Sequence, residues 1–364
     1  MNNKISNLQI GMIFALICSS LYLGLSDVLL IRISGNMVLI SMLLGTIIGL
    51  IPIYLFFKIN NTLPNLNIYE KNNKLFNSKI NIAINIFIIL IYIVLLIIAV
   101  GIITSFVTSK YLKLTPFLFI GALIIITSLL ICFKGIEVIA RLSELTFILS
   151  FILMILIQVL LFRYVEFNNI IPIEISNNFI INIIKGAIYY ANTSSLLIVL
   201  LLTINKNKVI NNKNYEKSIK VFYLISSISL IIVMFFVISV FGFEMSSIFR
   251  YPEYILLKKI GLKHSELHIE NLLAFRWIFY LLGLCNISTY GILTGVKTYV
   301  KDTNKQKIIV TLITIISTLI ASFIFNNNPK FLIAFNKYYN TLIALPIFLV
   351  LLLIYYKCKK TNSN

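Results

Sequence analysis

Charge is what this sequence has least of. Only 12% of its 364 residues are charged, and the acids number just 12. A soluble chain of this length would fold into one or two domains and cover them with charge, so a water-exposed globular architecture is excluded. Cysteine is also sparse. Cys18, Cys132, Cys285 and Cys358 lie far apart without a CxxC pair, which excludes a disulfide framework. The two histidines, His264 and His268, read His-Ser-Glu-Leu-His and lack the His-Glu-x-x-His order of a zinc helix, so no metal or other cofactor is expected. No Walker loop, glycine-rich dinucleotide fingerprint or nucleophile elbow occurs, which leaves ATP-driven transport and hydrolase chemistry without residues, and no enzymatic activity is expected. Long polar stretches are missing too. The widest gap between apolar runs, Glu244 to Asn271, is too short to fold alone.

What is present is hydrocarbon: 59% of the residues are hydrophobic, and the mean hydropathy is +0.98. Apolar runs long enough for a bilayer core of about 30 Å recur from end to end. They read Leu8 to Ile31, Asn36 to Phe57, Ile80 to Val107, Thr115 to Phe133, Leu142 to Phe162, Phe179 to Ile204, Val221 to Phe243, Leu272 to Val296, Ile308 to Phe325 and Phe331 to Tyr356. Their continuous apolarity, without the alternation of barrel strands, predicts an all-α integral membrane protein of about ten transmembrane helices. The first run starts too late and extends too far for a cleaved signal peptide, so it is expected to stay as a helix.

The net charge of +19 does not point to nucleic acid, because the basic residues are spread over nearly every loop. The larger share of them falls on one side: Lys58, Lys71, Lys74 and Lys79, then Lys206, Lys208, Lys213, Lys217 and Lys220, then Lys297 to Lys307 and Lys357 to Lys360. The positive-inside rule then puts both termini in the cytoplasm and these loops against anionic lipid. Between the seventh and eighth runs, Leu256, Leu257, Ile260, Leu262 and Leu267 alternate with lysines, which predicts one or two short helices lying in the outer interface.

Residues 1–364 thus form a single transmembrane domain, and ten spans divide into a first half over 8–162 and a second over 179–356. An odd number of spans per half forces opposite orientations, the arithmetic of a five-plus-five inverted repeat of the LeuT-like kind, with sites where the first and sixth helices are broken. Polar clusters occur at those depths. Ser19 and Ser20 sit mid-way along the first run, followed by Tyr22 and Gly24, and Tyr190, Asn192, Thr193 and Ser194 sit mid-way along the sixth. Unwound backbone there would offer N–H and C=O groups to the carboxylate and ammonium of an amino acid. The same small and hydroxyl residues also serve close helix packing, and both readings stand. Asn286 and Ser288 in the eighth run would flank the broken pair.

Intramembrane charge is costly, which draws attention to Glu137, Arg141 and Glu144 at the entry of the fifth run. At 100° per residue Arg141 and Glu144 both lie within about 40° of Glu137, on one helical face. They could be a conformational latch near the cytoplasmic end, or an ordinary i, i+4 ion pair that locks the helix end. Asp27, near the outer end of the first run and five residues before Arg32, reads as a boundary charge ahead of the other reading, a gate residue.

Three stretches together resemble a known family: Ile5-Ser6-Asn7-Leu8-Gln9, then Gly135-Ile136-Glu137-Val138-Ile139-Ala140-Arg141, then the run from Tyr251-Pro252 to Glu270-Asn271-Leu272-Leu273-Ala274-Phe275-Arg276-Trp277. They look like the endospore germination permeases, the B subunits of nutrient germinant receptors. The resemblance implies the amino acid–polyamine–organocation superfamily fold, the inner membrane of a dormant spore, and a small nutrient ligand such as an amino acid. It also implies a membrane-anchored A subunit and a lipoprotein C subunit as partners, with ion and dipicolinate release as the consequence of binding. An ion-coupled secondary amino acid transporter is the alternative. The chain departs from the family where ligand should bind: the glycine-rich, proline-ending break of the first helix reads Ser20-Leu21-Tyr22-Leu23-Gly24-Leu25-Ser26-Asp27, and Asn192-Thr193-Ser194 replaces a Gly-x-Glu.

Overall fold

The computed structural model describes residues 4–22, 26–170, 178–210, 214–264, 270–327 and 337–362. Helix dominates throughout. The elements are α1 (Asn7–Ser20), α2 (Asp27–Ser34), α3 (Val38–Ile48), α4 (Leu50–Asn61), α5 (Ile68–Leu75), α6 (Ser78–Lys110), α7 (Phe117–Lys134), α8 (Ile136–Phe162), α9 (Phe179–Ser194), α10 (Tyr215–Ile248), α11 (Pro252–His264), α12 (Glu270–Tyr299), α13 (Thr303–Asn327) and α14 (Leu345–Asn362). A 3-10 segment, Ser195–Thr203, continues α9, and a π segment, Asn340–Ala344, precedes α14. The β-pairing among the described residues is an isolated parallel bridge, in which Ile5 N–H donates to Lys208 O (2.9 Å) and Ile5 O accepts from Ile210 N–H (2.8 Å).

Nine helical stretches among the described residues are long and apolar enough to cross a membrane. The expected first span is different, because it is split. Its inner half, α1, has 14 residues and rises only about 21 Å, so it cannot cross alone. Its outer half, α2, begins at Asp27 and turns through Gly35 into α3. The order of elements in the first half, a split span, a long span, a short helix and three further spans, recurs from α9 onward with α11 in the place of α5. This is the expected five-plus-five inverted repeat.

Burial tells which helices are central. The apolar window of Phe179–Thr203 is 89% buried, whereas those of Ile136–Phe162 and Lys337–Thr361 are 22% and 28% buried and show leucine and isoleucine to lipid. α1 is enclosed by α8, α10 and α12, and α9 lies along α3. The α3–α9 crossing is close because small residues meet there. A Cβ on Gly186 would run into the Ser34 and Ser41 hydroxyls, and one on Gly45 would lie 2.6 Å from the Ala187 carbonyl. α10 bends where Gly242 takes φ of +70°, a conformation that glycine adopts without penalty.

Two expectations about the loops are corrected. α11 forms in the predicted stretch, but Tyr251, Pro252, Glu253, Tyr254, Leu256 and Leu257 are buried against the bundle, so its leading end packs into protein instead of lying in the lipid interface. Aromatic rings account for this: Phe106 of α6 contacts Tyr111, Tyr251, Tyr254 and Trp277 with centroids 4.9–5.8 Å apart. Lys71, expected against lipid head groups, is buried and donates its Nζ to Ile59 O (2.9 Å), Asn60 O (3.3 Å) and Asn60 Oδ1 (3.3 Å), capping the last carbonyls of α4. Burial lowers the Lys71 amine to about 8.

Candidate functional site

α1 is launched by a capping box: Ser6 Oγ accepts from Gln9 N–H (3.1 Å) and Gln9 Oε1 from Ser6 N–H (2.9 Å). It ends at Ser20, where the backbone leaves the helix. The freed carbonyls are taken by nearby hydroxyls, with Ser20 Oγ donating to Ile17 O (2.6 Å) and Ser26 Oγ to Leu21 O (2.9 Å). Gly24 lies outside the described residues. Ser19 Oγ meets Ser226 Oγ of α10 at 2.8 Å, and Ser226 also donates to Ala15 O (3.3 Å), so the end of α1 is tied to the seventh span.

α9 fails in a related way. Thr193, Ser194 and Ser195 each donate a hydroxyl proton to the carbonyl four residues back, Tyr189 O (3.1 Å), Tyr190 O (2.7 Å) and Ala191 O (2.8 Å). Three consecutive back-bonds of this kind compete with the helical ladder and favour bending. The α-helix stops at Ser194, and the chain continues as nine residues of 3-10 helix, an unusual length that marks a hinge or strain.

The two breaks meet through tyrosines. The Tyr22 ring stands edge-on to Tyr190, centroids 5.9 Å apart at 86°, and the Tyr22 hydroxyl reaches Met42 Sδ of α3 at 3.5 Å. The buried hydroxyls of Tyr190 itself and of Ser227 near it make no hydrogen bond among the described residues. Each such group costs about 1–3 kcal/mol when left unsatisfied, which makes this junction a place that a polar ligand would stabilise.

Of the expected residues the structure brings Tyr22 against Tyr190, while the hydroxyls of Ser19, Ser20, Thr193 and Ser194 are taken up at their own helix ends or by α10. It points two of the other expected residues elsewhere. Asn192 turns toward the tenth span, where its Nδ2 donates to Asn340 Oδ1 (3.0 Å) and its carbonyl accepts from the Tyr339 hydroxyl (3.3 Å). Asn286 Oδ1 accepts from Ser128 Oγ of α7 (2.8 Å), and Ser288 is buried without a hydrogen bond among the described residues. Glu137 and Arg141 form an i, i+4 salt bridge at 2.6 Å whose arginine side chain is 72% exposed. Glu144 is not in that pair; it accepts from Gln9 Nε2 at 2.9 Å.

A family model described as "Spore germination protein" matches residues 7–330. The chain belongs to that spore germination protein family. No curated protein matches it. Among solved structures it is similar to one entitled "Substrate-bound outward-open state of a Na+-coupled sialic acid symporter reveals a novel Na+-site", with a TM-score of 0.60 and 13% identity, covering 94% of this chain and 78% of that one. At that identity the likeness shows the fold, and the fold is the LeuT-like one. Family and fold together make this a permease-like, multi-pass integral membrane protein.

The sequence reading of this spore germination protein missed a buried charged group on the opposite side of the first helix break from Ser19. Asp27, read as a boundary charge, is 1% exposed because it opens α2 inside the bundle. Glu253 of α11 is buried as well and accepts from Trp277 Nε1 (3.4 Å), while Arg276 of α12 is fully buried and donates Nε and Nη2 to the Tyr280 hydroxyl (3.2 and 3.1 Å). Burial first and then the nearby Asp27 charge push the Glu253 carboxyl up to about 8, against the opposing pull of Arg276 and the Trp277 hydrogen bond. A signal for this group was available in Arg276, a charge inside the eighth apolar run.

Proposed function

We propose that this chain is the membrane subunit of a spore nutrient germinant receptor, binding a small nutrient, an amino acid, where the first and sixth spans break. The observation that carries the reading is the edge-on contact of Tyr22 with Tyr190, made at the two helix ends of a family member, where the buried Tyr190 hydroxyl makes no hydrogen bond among the described residues. A nutrient that supplies those partners in one arrangement of α1 and α9, and not in another, shifts the equilibrium between them. The shift passes, in this reading, to A and C subunits of a receptor complex, membership of which is consistent with the family. In this reading the protein sits in the spore inner membrane with both termini in the cytoplasm and its basic loops on anionic lipid.

One observation favours a second reading, an ion-coupled amino acid transporter. Asp27 and Glu253 are buried acids beside the broken first span, and a carboxyl held near neutrality is suited to taking up and releasing a proton. Uptake of radiolabelled amino acids by the purified chain in sealed liposomes, with and without a proton or sodium gradient, separates the two. The receptor reading expects no gradient-driven uptake by folded protein without its partners. Gradient-driven uptake that Asp27→Asn abolishes would replace it with the transporter.

A further inference from the structure

A second polar site lies away from the tyrosine junction, at the end of the bundle that carries the N-terminus of α1. Here α5, the exit of the 3-10 segment and the last turns of α12 surround a cavity of about 450 Å³. That is within the roughly 300–1,000 Å³ of small-molecule sites. Its walls differ from the apolar interior of the bundle: α5 contributes Glu70, the sixth span and the loop after it contribute Thr203 and Lys208, and α12 contributes Tyr290, Thr294 and Lys297.

The placement of these groups is built, not incidental. Glu70 is held by the capping box of α5, where its Oε2 accepts from Asn67 N–H (2.9 Å) while Asn67 Oδ1 accepts from Glu70 N–H (3.0 Å). Lys208 is fixed through its backbone carbonyl, which takes the Ile5 N–H in the parallel bridge. Thr203 and Thr294 spend their hydroxyl protons on Leu200 O (3.1 Å) and Gly291 O (2.9 Å), which leaves their oxygens as acceptors. Thr203, Tyr290 and Thr294 are buried at the floor, and Lys297 is exposed at the mouth.

The three charges act on one another without neutralising one another. Among the described residues the one salt bridge is Glu137–Arg141, so Glu70, Lys208 and Lys297 close no ion pair there. Burial depresses the Lys208 amine, the positive field of Lys297 depresses it further, and Glu70 opposes both. Two cations against one anion leave a surplus positive charge, which a ligand with one more negative than positive group removes.

We propose that this cavity is a second binding site, for an acidic amino acid zwitterion whose two carboxylates lie toward Lys208 and Lys297 and whose ammonium lies toward Glu70 and the threonine oxygens. This site does not depend on the tyrosine junction. It faces the membrane side opposite Asp27 and Arg276, so it reads a different pool of metabolite.

The test uses the full chain in lipid nanodiscs at low salt, with L-glutamate as the probe and glutarate, which has the same two carboxylates without the ammonium, as its partner. Calorimetric titration is expected to show L-glutamate binding that weakens tenfold or more in Lys208→Ala combined with Lys297→Ala, and that is unchanged in Lys217→Ala, an exposed lysine elsewhere on the same side. Glu70→Gln is expected to weaken L-glutamate while leaving glutarate as tight or tighter, an exchange of preference that general loosening of α5 would not produce. Each variant is first matched to wild type in melting temperature and elution volume. Absence of L-glutamate binding by folded wild type, binding indifferent to the paired lysine change, or equal loss of both probes in Glu70→Gln overturns the proposal.

Discussion

Gln9, in the first turn of α1, donates its side-chain amide to Glu144 of α8 at 2.9 Å, joining the inner half of the split first span to the fifth. The same Gln9 closes the capping box with Ser6, so one side chain both starts α1 and anchors it. A half-helix that moves during gating would have to break or carry this contact.

A hydrogen bond to a carboxylate contributes about 1.5–3 kcal/mol, and an exposed i, i+4 ion pair about 0.2–0.5 kcal/mol. Glu144→Ala is therefore expected to lower thermal stability in detergent clearly more than Glu137→Ala, and to speed hydrogen exchange in α1. Equal effects of the two would mean that the Gln9–Glu144 tie does not hold the helix.

Gly186 leaves no room for a methyl group beside Ser34 and Ser41. Overpacking of this kind costs about 1–3 kcal/mol, so Gly186→Ala should lower the melting temperature and the yield of folded protein. The Ser34 hydroxyl makes no hydrogen bond among the described residues, so Ser34→Ala removes the obstruction at little cost, and the double variant should regain much of the loss. A double variant no better than Gly186→Ala would show that the packing of α9 against the end of α2 is not limited by this contact.

Glu253 supplies a pH dependence whose sign follows from burial. Its folded pKa, about 8, lies above the ordinary carboxylate value of 4.5, so the folded state binds the proton more tightly than the unfolded. The stability this contributes is complete below about pH 4.5 and is lost as pH rises through about 8. In Glu253→Gln the melting temperature should fall less between pH 5 and pH 8 than in wild type. Parallel melting curves for the two proteins across that range would contradict the assignment.

The spans were legible because lipid demands unbroken apolar runs, and the helix breaks because Ser19, Ser20 and the hydroxyl cluster from Thr193 to Ser195 interrupt those runs at mid-depth. The direction of Asn192 was not legible. A helix that changes from α to 3-10 within two residues alters its angular step, so the face of a residue beside the change depends on packing against the tenth span, where Asn340 waits. Asp27 was misread for a similar reason: near the end of a continuous apolar run it looks like a boundary, but the chain restarts a helix there and buries it. Glu253 was hidden because an amphipathic loop helix can cover protein as readily as lipid.

The central claim, that nutrient is sensed where Tyr22 meets Tyr190, is tested most directly by the germination response of spores carrying Tyr190→Phe, measured against nutrient concentration at equal protein abundance. Loss of a buried hydroxyl that waits for a ligand is expected to raise the concentration for half-maximal response about tenfold, in line with about 1.4 kcal/mol of lost binding. A response curve that coincides with wild type would contradict it.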